Sequence, residues 1–174
     1  FENKSLVDLI VKLGDEVKGT SEDKKKKRQE AVAETIENNV RKVIIEESQT
    51  NPKYYEKMSK LLDEIIQLRK QGTCDYQDYL EKIKELATKV AEPSSGEAYP
   101  NIINTRAKQA LYDNLNSDEE LATILDRVIL DNKLDGWRDG GIKEKKLMLA
   151  VNQIIVDVDK TIEIMNIIKA QGEY

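Results

Sequence analysis

The chain contains no histidine and a single cysteine, Cys74, and this scarcity excludes several kinds of chemistry. Histidine is the side chain that most often transfers protons near neutral pH, so histidine-based acid–base catalysis is impossible here. A zinc site would need more cysteine or histidine ligands than the sequence holds. One cysteine cannot form an internal disulfide, which fits a reducing cytoplasm.

The sequence also lacks long hydrophobic runs. Its longest apolar stretch, Leu147–Val151, is too short to span a bilayer, and no signal peptide is visible. We therefore expect no membrane association and a cytoplasmic location. The chain begins at Phe1 rather than at methionine, and we expect it to be an excised piece of a longer protein.

Charged residues, by contrast, are abundant. They make up 35% of the 174 residues, aromatic residues make up only 5%, and the net charge is −5. This balance is typical of a helical protein with hydrated outer faces, and the apolar periodicity is too regular for a disordered chain. The overall negative charge repels nucleic acid, so any contact with DNA requires a local basic patch.

Apolar residues recur at helical spacing along the whole chain, which predicts an all-α fold. Asn51 and Pro52 mark one helix start, because asparagine accepts a hydrogen bond from an unpaired backbone N–H and proline loses nothing at the first helical position. We expect a compact bundle of about eight helices, with a division into two lobes as an open alternative. The predicted helices cover residues 3–18, 23–47, 51–71, 75–90, 104–115, 117–129, 142–156 and 158–171.

Three local features refine this prediction. Ser117–Glu120 fits a capping box, in which Ser117 begins the next helix. The β-branched run Ile154–Val156 allows a short strand, although the flanking periodicity favours helix. Pro93–Gly96 has the composition of a loop and is the best domain boundary, so we expect an N-terminal lobe at 1–92, a linker at 93–103 and a C-terminal lobe at 104–174.

Candidate catalytic motifs are weak. A metal-dependent nuclease pairs an aspartate with a D/E-x-K triplet on strand-like elements, so that two carboxylates hold Mg²⁺. The triplets Glu144–Lys146, Asp131–Lys133 and Glu22–Lys24 match this pattern, but a chain rich in lysine and glutamate produces such matches by chance. No G-x-x-x-x-G-K-[ST] loop for ATP is present. We therefore expect no catalytic residue, no metal ligand and no cofactor site.

A basic run offers one candidate binding site. It consists of Lys24, Lys25, Lys26, Lys27 and Arg28. Five adjacent cations can contact DNA phosphates in a salt-dependent manner that ignores base sequence. The alternative is a solvated helix end whose charge is balanced by Glu22, Asp23 and Glu30.

The loop at residues 135–141 offers a second candidate. Its tryptophan is the only one in the chain, and Trp137, Arg138 and Asp139 together fit a partner contact anchored by an exposed ring. The competing interpretation is structural: Trp137 fills the core, while Gly136 and Gly140 allow tight turns. We favour the structural interpretation, because large aromatic side chains stabilise a protein most when they are buried.

Five segments of the chain match one family in the order in which that family shows them. They are Ala31–Lys42, Asn51–Ser59, Tyr79–Ile83, Ala110–Leu115 and Asp135–Arg138. Together they resemble the C-terminal region of the restriction (motor, R) subunit of type I restriction-modification enzymes, over roughly residues 30–174. After the Trp-Arg pair the resembled pattern has Gly-Asn, where this chain has Asp139 followed by two glycines.

The resemblance implies a helical region that docks the motor subunit onto the methyltransferase and specificity subunits. The whole subunit is similar to an ATP-dependent DNA translocase joined to a Mg²⁺-dependent endonuclease, a hydrolase, but none of its ATP-hydrolysis or cleavage residues fall in this piece. We therefore expect a non-catalytic docking role, with ATP, Mg²⁺ and DNA engaged through the parent complex. The alternatives are a helical module that binds duplex phosphates, a metal-dependent nuclease and a self-associating coiled-coil adaptor.

Overall fold

The computed structural model describes residues 3–15, 21–96 and 98–174, and every regular element in these ranges is a helix. The expected all-α fold class is therefore confirmed. The helices are α1 (Asn3–Asp15), α2 (Glu22–Glu47), α3 (Pro52–Lys70), α4 (Tyr76–Ala91), α5 (Pro93–Gly96), α6 (Arg106–Asn114), α7 (Glu119–Asn132), α8 (Ile142–Ile155) and α9 (Val158–Ala170). A 3₁₀ turn, Trp137–Asp139, lies between α7 and α8.

The chain forms two compact units. Unit 1 consists of Phe1–Glu47 and Tyr55–Glu97, and unit 2 consists of Ser48–Tyr54 and Ala98–Tyr174. The structure differs from the sequence expectation at two points. The segment Ser48–Tyr54 groups with the C-terminal residues, and Pro93–Gly96 forms the short helix α5 where a loop was predicted.

Asn51 shows why this segment belongs to unit 2. Its amide donates to the Asp113 carboxylate at 2.7 Å, and its carbonyl oxygen accepts from the Asn114 amide at 2.8 Å. The same oxygen accepts from the Tyr54 backbone N–H at 3.3 Å, so the predicted helix start is confirmed. Nearby, the Gln171 side chain donates to the backbone oxygen of Thr50. Because Asn51 is buried, these hydrogen bonds hold its polar groups without access to water.

In unit 1, α4 packs against α1 and α2. The start of α3 meets the end of α4, where the Tyr55 hydroxyl donates to the Val90 backbone oxygen at 3.1 Å. The end of α3 meets the start of α4, where the Arg69 guanidinium lies 5.9 Å from the centre of the Tyr79 ring. The two helices are therefore antiparallel, which is the arrangement that a short connection favours.

In unit 2, α6 packs against α7, α7 against α8, α8 against α9, and α9 against α6. Their apolar faces form one core with side chains from the loops before α6 and before α8. The buried residues of this core are Ile103, Ala107, Ala110, Leu111, Leu115, Ala122, Leu125, Ile129, Trp137, Leu147, Val151, Ile164, Met165, Ile167, Ile168 and Tyr174.

One local prediction in unit 2 needs correction. Helix α7 is capped by Asp118, whose carboxylate accepts from the Leu121 backbone N–H at 2.9 Å, and not by Ser117. Ser117 has a left-handed backbone with φ of 61°, which a residue that caps the N-terminus of a helix does not adopt. The run Ile154–Val156 is helical up to Ile155, as the flanking periodicity favoured, and Asp157 then caps α9.

Candidate functional site

The loop after α7 holds the first predicted contact residues. Trp137 is only 3% exposed and lies in the core of unit 2. Gly136 has φ of 73°, the left-handed conformation that lets the chain turn directly before the ring. An interface anchor needs an accessible ring, so the burial of Trp137 agrees with the favoured structural interpretation, and a partner contact by this residue stays a prediction.

Arg138 and Asp139 are both exposed on the surface of unit 2. The Arg138 guanidinium lies 4.9 Å from the centre of the Trp137 ring and donates to the Gln171 backbone oxygen at 2.7 Å. Arg138 thereby covers the tryptophan and fixes the segment that follows α9. A partner contact by Arg138 or Asp139 stays a prediction.

The basic run lies at the start of α2, and all five of its side chains are exposed. Successive helix positions rotate by about 100°, so five consecutive residues point all around the axis. Lys24 and Arg28 lie about 40° apart around the axis, with Lys27 on one side and Lys25 on the other, so at most three of the five share an arc of about 100°. If DNA binds here, about three phosphates can be contacted at once.

The three nuclease-like triplets lie on or beside helices. Glu144, in the first turn of α8, forms an ion pair with Lys169 of α9 at 2.6 Å, so its carboxylate already serves the packing of unit 2. The other two triplets lie at the start of α2 and at the end of α7. Among the residues that the structure describes, no group of three or more acidic or cysteine side chains is arranged to hold a metal ion.

Unit 1 contains a partly buried ion pair that sequence reasoning missed. The Arg69 guanidinium donates to both oxygens of Glu37, at 2.6 and 3.1 Å, and the Tyr79 hydroxyl donates to the same carboxylate at 3.1 Å. Hydrogen bonding to Glu37 raises the pKa of Arg69, and burial raises the pKa of Tyr79 far above its ordinary value. The pair joins α2, α3 and α4, and we assign it a structural role.

A surface cavity of about 420 Å³ lies beside this pair and is lined in part by Arg69, Tyr76 and Tyr79. Cys74 is also in its wall. Arg69 is already engaged by Glu37, and lysine and carboxylate side chains of both signs surround the opening. Because charges of both signs surround the cavity and Arg69 is already paired with Glu37, the cavity does not indicate a particular class of ligand.

Unit 2 carries an apolar groove of about 390 Å³ on the surface of α7. Ile102, in the loop before α6, and Ile124, on α7, supply its large apolar side chains, and both are exposed. Glu119, Glu120 and Arg127 line its polar edge. This combination of apolar side chains beside charged ones is typical of a protein–protein contact.

The groove belongs to a wider pattern. Of the large apolar side chains that the structure shows as exposed, two lie in unit 1 and ten in unit 2. Those of unit 2 are Ile102, Ile124, Leu130, Leu134, Ile142, Leu149, Ile154, Val156, Val158 and Ile162. Sequence reasoning did not single them out, although one signal was readable: in the region of α8, apolar residues occur at 142, 149 and 156 as well as at 147 and 151.

Comparisons with protein-family models, with curated proteins and with solved structures gave no match to this chain. The observed fold and surfaces therefore define its class: an all-α protein with two helical units and an apolar surface on one of them. None of the described helices has the length and apolar character needed to cross a membrane.

Proposed function

We propose that this chain is a non-catalytic C-terminal helical docking region of the restriction subunit of a type I restriction enzyme. It would hold the ATP-dependent DNA translocase and endonuclease of its parent protein onto the methyltransferase–specificity core. ATP, Mg²⁺ and DNA would act on the parent complex, in the cytoplasm. The proposal is motivated by the five sequence segments that resemble this family and occur in the same order. The all-helical fold is compatible with it.

One observation of the structure carries the docking role: the groove of unit 2, in which the exposed side chains of Ile102 and Ile124 lie together. Apolar side chains grouped on a surface and bordered by polar ones commonly mark a contact with another protein. Charged side chains of both signs border the groove, which favours a protein partner over a uniformly negative duplex.

A pull-down of this chain with the methyltransferase–specificity complex tests the proposal. We expect the chain to be retained by the complex. Ile124→Glu places a carboxylate in the apolar groove, and we expect at least a tenfold loss of affinity, about 1.4 kcal/mol. Ile45→Glu is the matched control, because Ile45 is an exposed isoleucine of unit 1.

Two results would contradict the docking proposal. The first is a folded chain, verified by circular dichroism, that the complex does not retain. The second is an equal loss of retention for Ile124→Glu and Ile45→Glu, since a nonspecific effect of added charge would then explain both.

A second candidate function is the binding of duplex DNA by unit 1. The observation that favours it is that all five cations at the start of α2 are exposed. Because three of them share one arc, we expect the logarithm of the binding constant to fall against the logarithm of salt concentration with a slope of about −2.7. Replacing Lys24 and Arg28 with glutamine should weaken the binding most, because both belong to either arc, while replacing Lys26, on the opposite side of the helix, should weaken it least. A folded chain with no affinity for duplex DNA at low salt would exclude this candidate.

A further inference from the structure

The groove of Ile102 and Ile124 has an acidic end and a basic end. Glu119 and Glu120 lie in the first turn of α7, and Arg127 lies about two turns further along the same helix. Seven residues separate Glu120 from Arg127, which places them about 10 Å apart along the axis and on one face of the helix. The two kinds of charge are therefore segregated along the groove, with Ile124 between them.

These charges are available to a partner. The side chains of Glu119, Glu120 and Arg127 are exposed, and none of them forms an ion pair within the part of the chain that the structure describes. Asp131, one turn beyond Arg127, is exposed as well, but it lies outside the lining of the groove. An unpaired charge on a surface is ordinary by itself. Here, however, unpaired charges of opposite sign lie at the two ends of one apolar groove.

The apolar side of the groove is held in place by the residues around it. Ile103, the neighbour of Ile102, is buried in the core of unit 2, and its backbone N–H donates to the Pro100 backbone oxygen at 2.8 Å. The Lys108 ammonium donates to the Ile102 backbone oxygen at 3.2 Å. Because these contacts fix the loop, the exposed side chain of Ile102 has a defined position, and binding requires little ordering of the loop.

A helix can match this layout of charges in one direction. Residues seven positions apart on a partner helix can face Glu120 and Arg127, and the residues three and four positions after the first can face Ile124. A helix is more stable with acidic residues in its first turn and basic residues in its last turn. Such a helix brings its carboxylate to Arg127 and its cation to Glu120 when it runs antiparallel to α7. A parallel helix would bring like charges together.

We propose that the groove binds an amphipathic helix of the partner that runs antiparallel to α7. This helix carries a carboxylate, apolar residues three and four positions later, and a lysine or arginine at the seventh position. Its apolar residues contact Ile102 and Ile124, and its two charges set its direction. The inference rests on the docking function proposed above, because it names the chemistry of the element that fills the groove.

Two synthetic helical peptides are the probes for this direction. One contains the pattern E-x-x-L-L-x-x-K and the other contains K-x-x-L-L-x-x-E, in the same background of alanine and glutamine. Each is labelled and titrated with the full chain, and fluorescence anisotropy gives its dissociation constant. We expect the peptide with glutamate first to bind more tightly. Ile124→Ser should weaken the binding of both peptides, because both place leucine against Ile124.

A chain with exchanged charges separates recognition by the groove from the stability of the peptides. The peptide with glutamate first is the more stable helix even in isolation, so its tighter binding alone would prove little. Glu120→Lys combined with Arg127→Glu reverses the charges of the groove. We expect the ratio of the two affinities to shift by about tenfold toward the peptide with lysine first, since each exposed ion pair contributes up to about 1 kcal/mol.

Glu56→Lys combined with Lys60→Glu is the matched control. It exchanges an exposed glutamate and an exposed lysine of α3, in unit 1, and leaves the net charge of the chain unaltered. The ratio of the two affinities should stay as it is in the unchanged chain. Circular dichroism verifies that each variant is folded.

Three results would overturn the inference. The first is an affinity ratio that the exchange at Glu120 and Arg127 shifts by less than about twofold. The second is an equal shift in the control with exchanged charges in α3. The third is no binding of either peptide at about 1 mM, since a filled groove should give at least this affinity.

Retention of the chain by the methyltransferase–specificity complex distinguishes the failure of this inference from the failure of the docking function. A chain that the complex retains, but whose affinity ratio does not shift, keeps its docking role and loses the proposed direction of the partner helix. A chain that the complex does not retain, but whose affinity ratio shifts as expected, keeps a groove selective for this kind of helix and loses its proposed partner.

Discussion

Units 1 and 2 are built from the same kind of amphipathic helix, yet they differ in how many large apolar side chains they expose and in which polar groups they bury. Unit 1 shows two exposed large apolar side chains among its described residues and has a partly buried ion pair, Glu37 with Arg69. Unit 2 shows ten exposed large apolar side chains, and its buried hydrogen bonds include those among Asn51, Asp113 and Asn114.

This difference suggests a structural role for unit 1 and a binding role for unit 2. A buried ion pair contributes little net stability, but removing one member leaves an unpaired charge, so the pair holds helices in one arrangement. In unit 1, the ion pair thus fixes how the helices pack, and few large apolar side chains are exposed. Unit 2 has an apolar core and, in addition, many exposed apolar side chains, which is typical of a unit that contacts other proteins.

The largest expected effect concerns the core of unit 2. Trp137→Ala should lower the free energy of unfolding by about 4 kcal/mol, because it removes a buried indole and leaves a cavity. Urea denaturation measures the loss, and Leu130→Ala, at an exposed leucine, should cost less than about 1 kcal/mol. If Trp137→Ala left stability unchanged and removed partner binding, the tryptophan would be an interface anchor after all.

The ion pair of unit 1 should give the next largest effect. Glu37→Met leaves the Arg69 guanidinium without its carboxylate and should cost about 3 kcal/mol. The double variant Glu37→Met, Arg69→Met should lose less than the single one, because neither charge is then buried alone. Hydrogen exchange read at each amide should locate the loss in α2, α3 and α4. An equal or larger loss in the double variant would mean that the pair itself is strongly stabilising.

The buried amide of unit 2 should matter somewhat less. Asn51→Ala removes the cap of α3 and leaves the Asp113 carboxylate and the Asn114 amide short of one hydrogen bond each, at a cost of about 2 kcal/mol. Chemical denaturation checks the value, and Asn38→Ala, at an exposed position of α2, should be nearly neutral. A neutral Asn51→Ala would indicate that the network does not hold Ser48–Tyr54 in unit 2.

The smallest effect is visible only at alkaline pH and concerns both units. Burial raises the pKa of Tyr79 in unit 1 and of Tyr174 in unit 2, with hydrogen bonds to Glu37 and Asp126 acting in the same direction. The folded state therefore keeps both phenols neutral, and its stability is complete below the unfolded pKa of about 10 and falls as the pH rises above it. Each phenol should contribute a slope of up to about 1.4 kcal/mol per pH unit.

Denaturation at pH 9 and pH 11 measures this fall. Tyr79→Phe and Tyr174→Phe should each reduce the difference between the two pH values, since phenylalanine does not ionise. If both variants lost stability as steeply as the unchanged chain, the alkaline fall would come from other groups.

The helices could be predicted from the sequence because apolar spacing and chemically distinct caps are local signals. Asn51 before Pro52 and Asp157 after Val156 both mark helix starts that the structure has. The Ser117 prediction was wrong because two neighbouring residues, Ser117 and Asp118, can both cap, and only the backbone conformation decides between them.

The pairings between distant residues could not be predicted. Glu37 is one of 33 acidic residues and Arg69 one of 28 basic ones, so the sequence alone does not match them. The bond between Asn51 and Asp113 spans 62 positions and depends on how the helices of unit 2 pack. The apolar residues of α8 were readable in the sequence, but only the folded structure shows that Leu147 and Val151 are buried while Ile142 and Leu149 are exposed.

The heat capacity change on binding to the methyltransferase–specificity complex tests the docking role of unit 2 most directly. Burial of apolar surface makes this change negative. We expect a clearly negative value from calorimetric titrations over a range of temperatures, and a smaller one for the double variant Ile102→Ser, Ile124→Ser. Absence of binding, or a heat capacity change that the double variant leaves unaltered, would contradict the account.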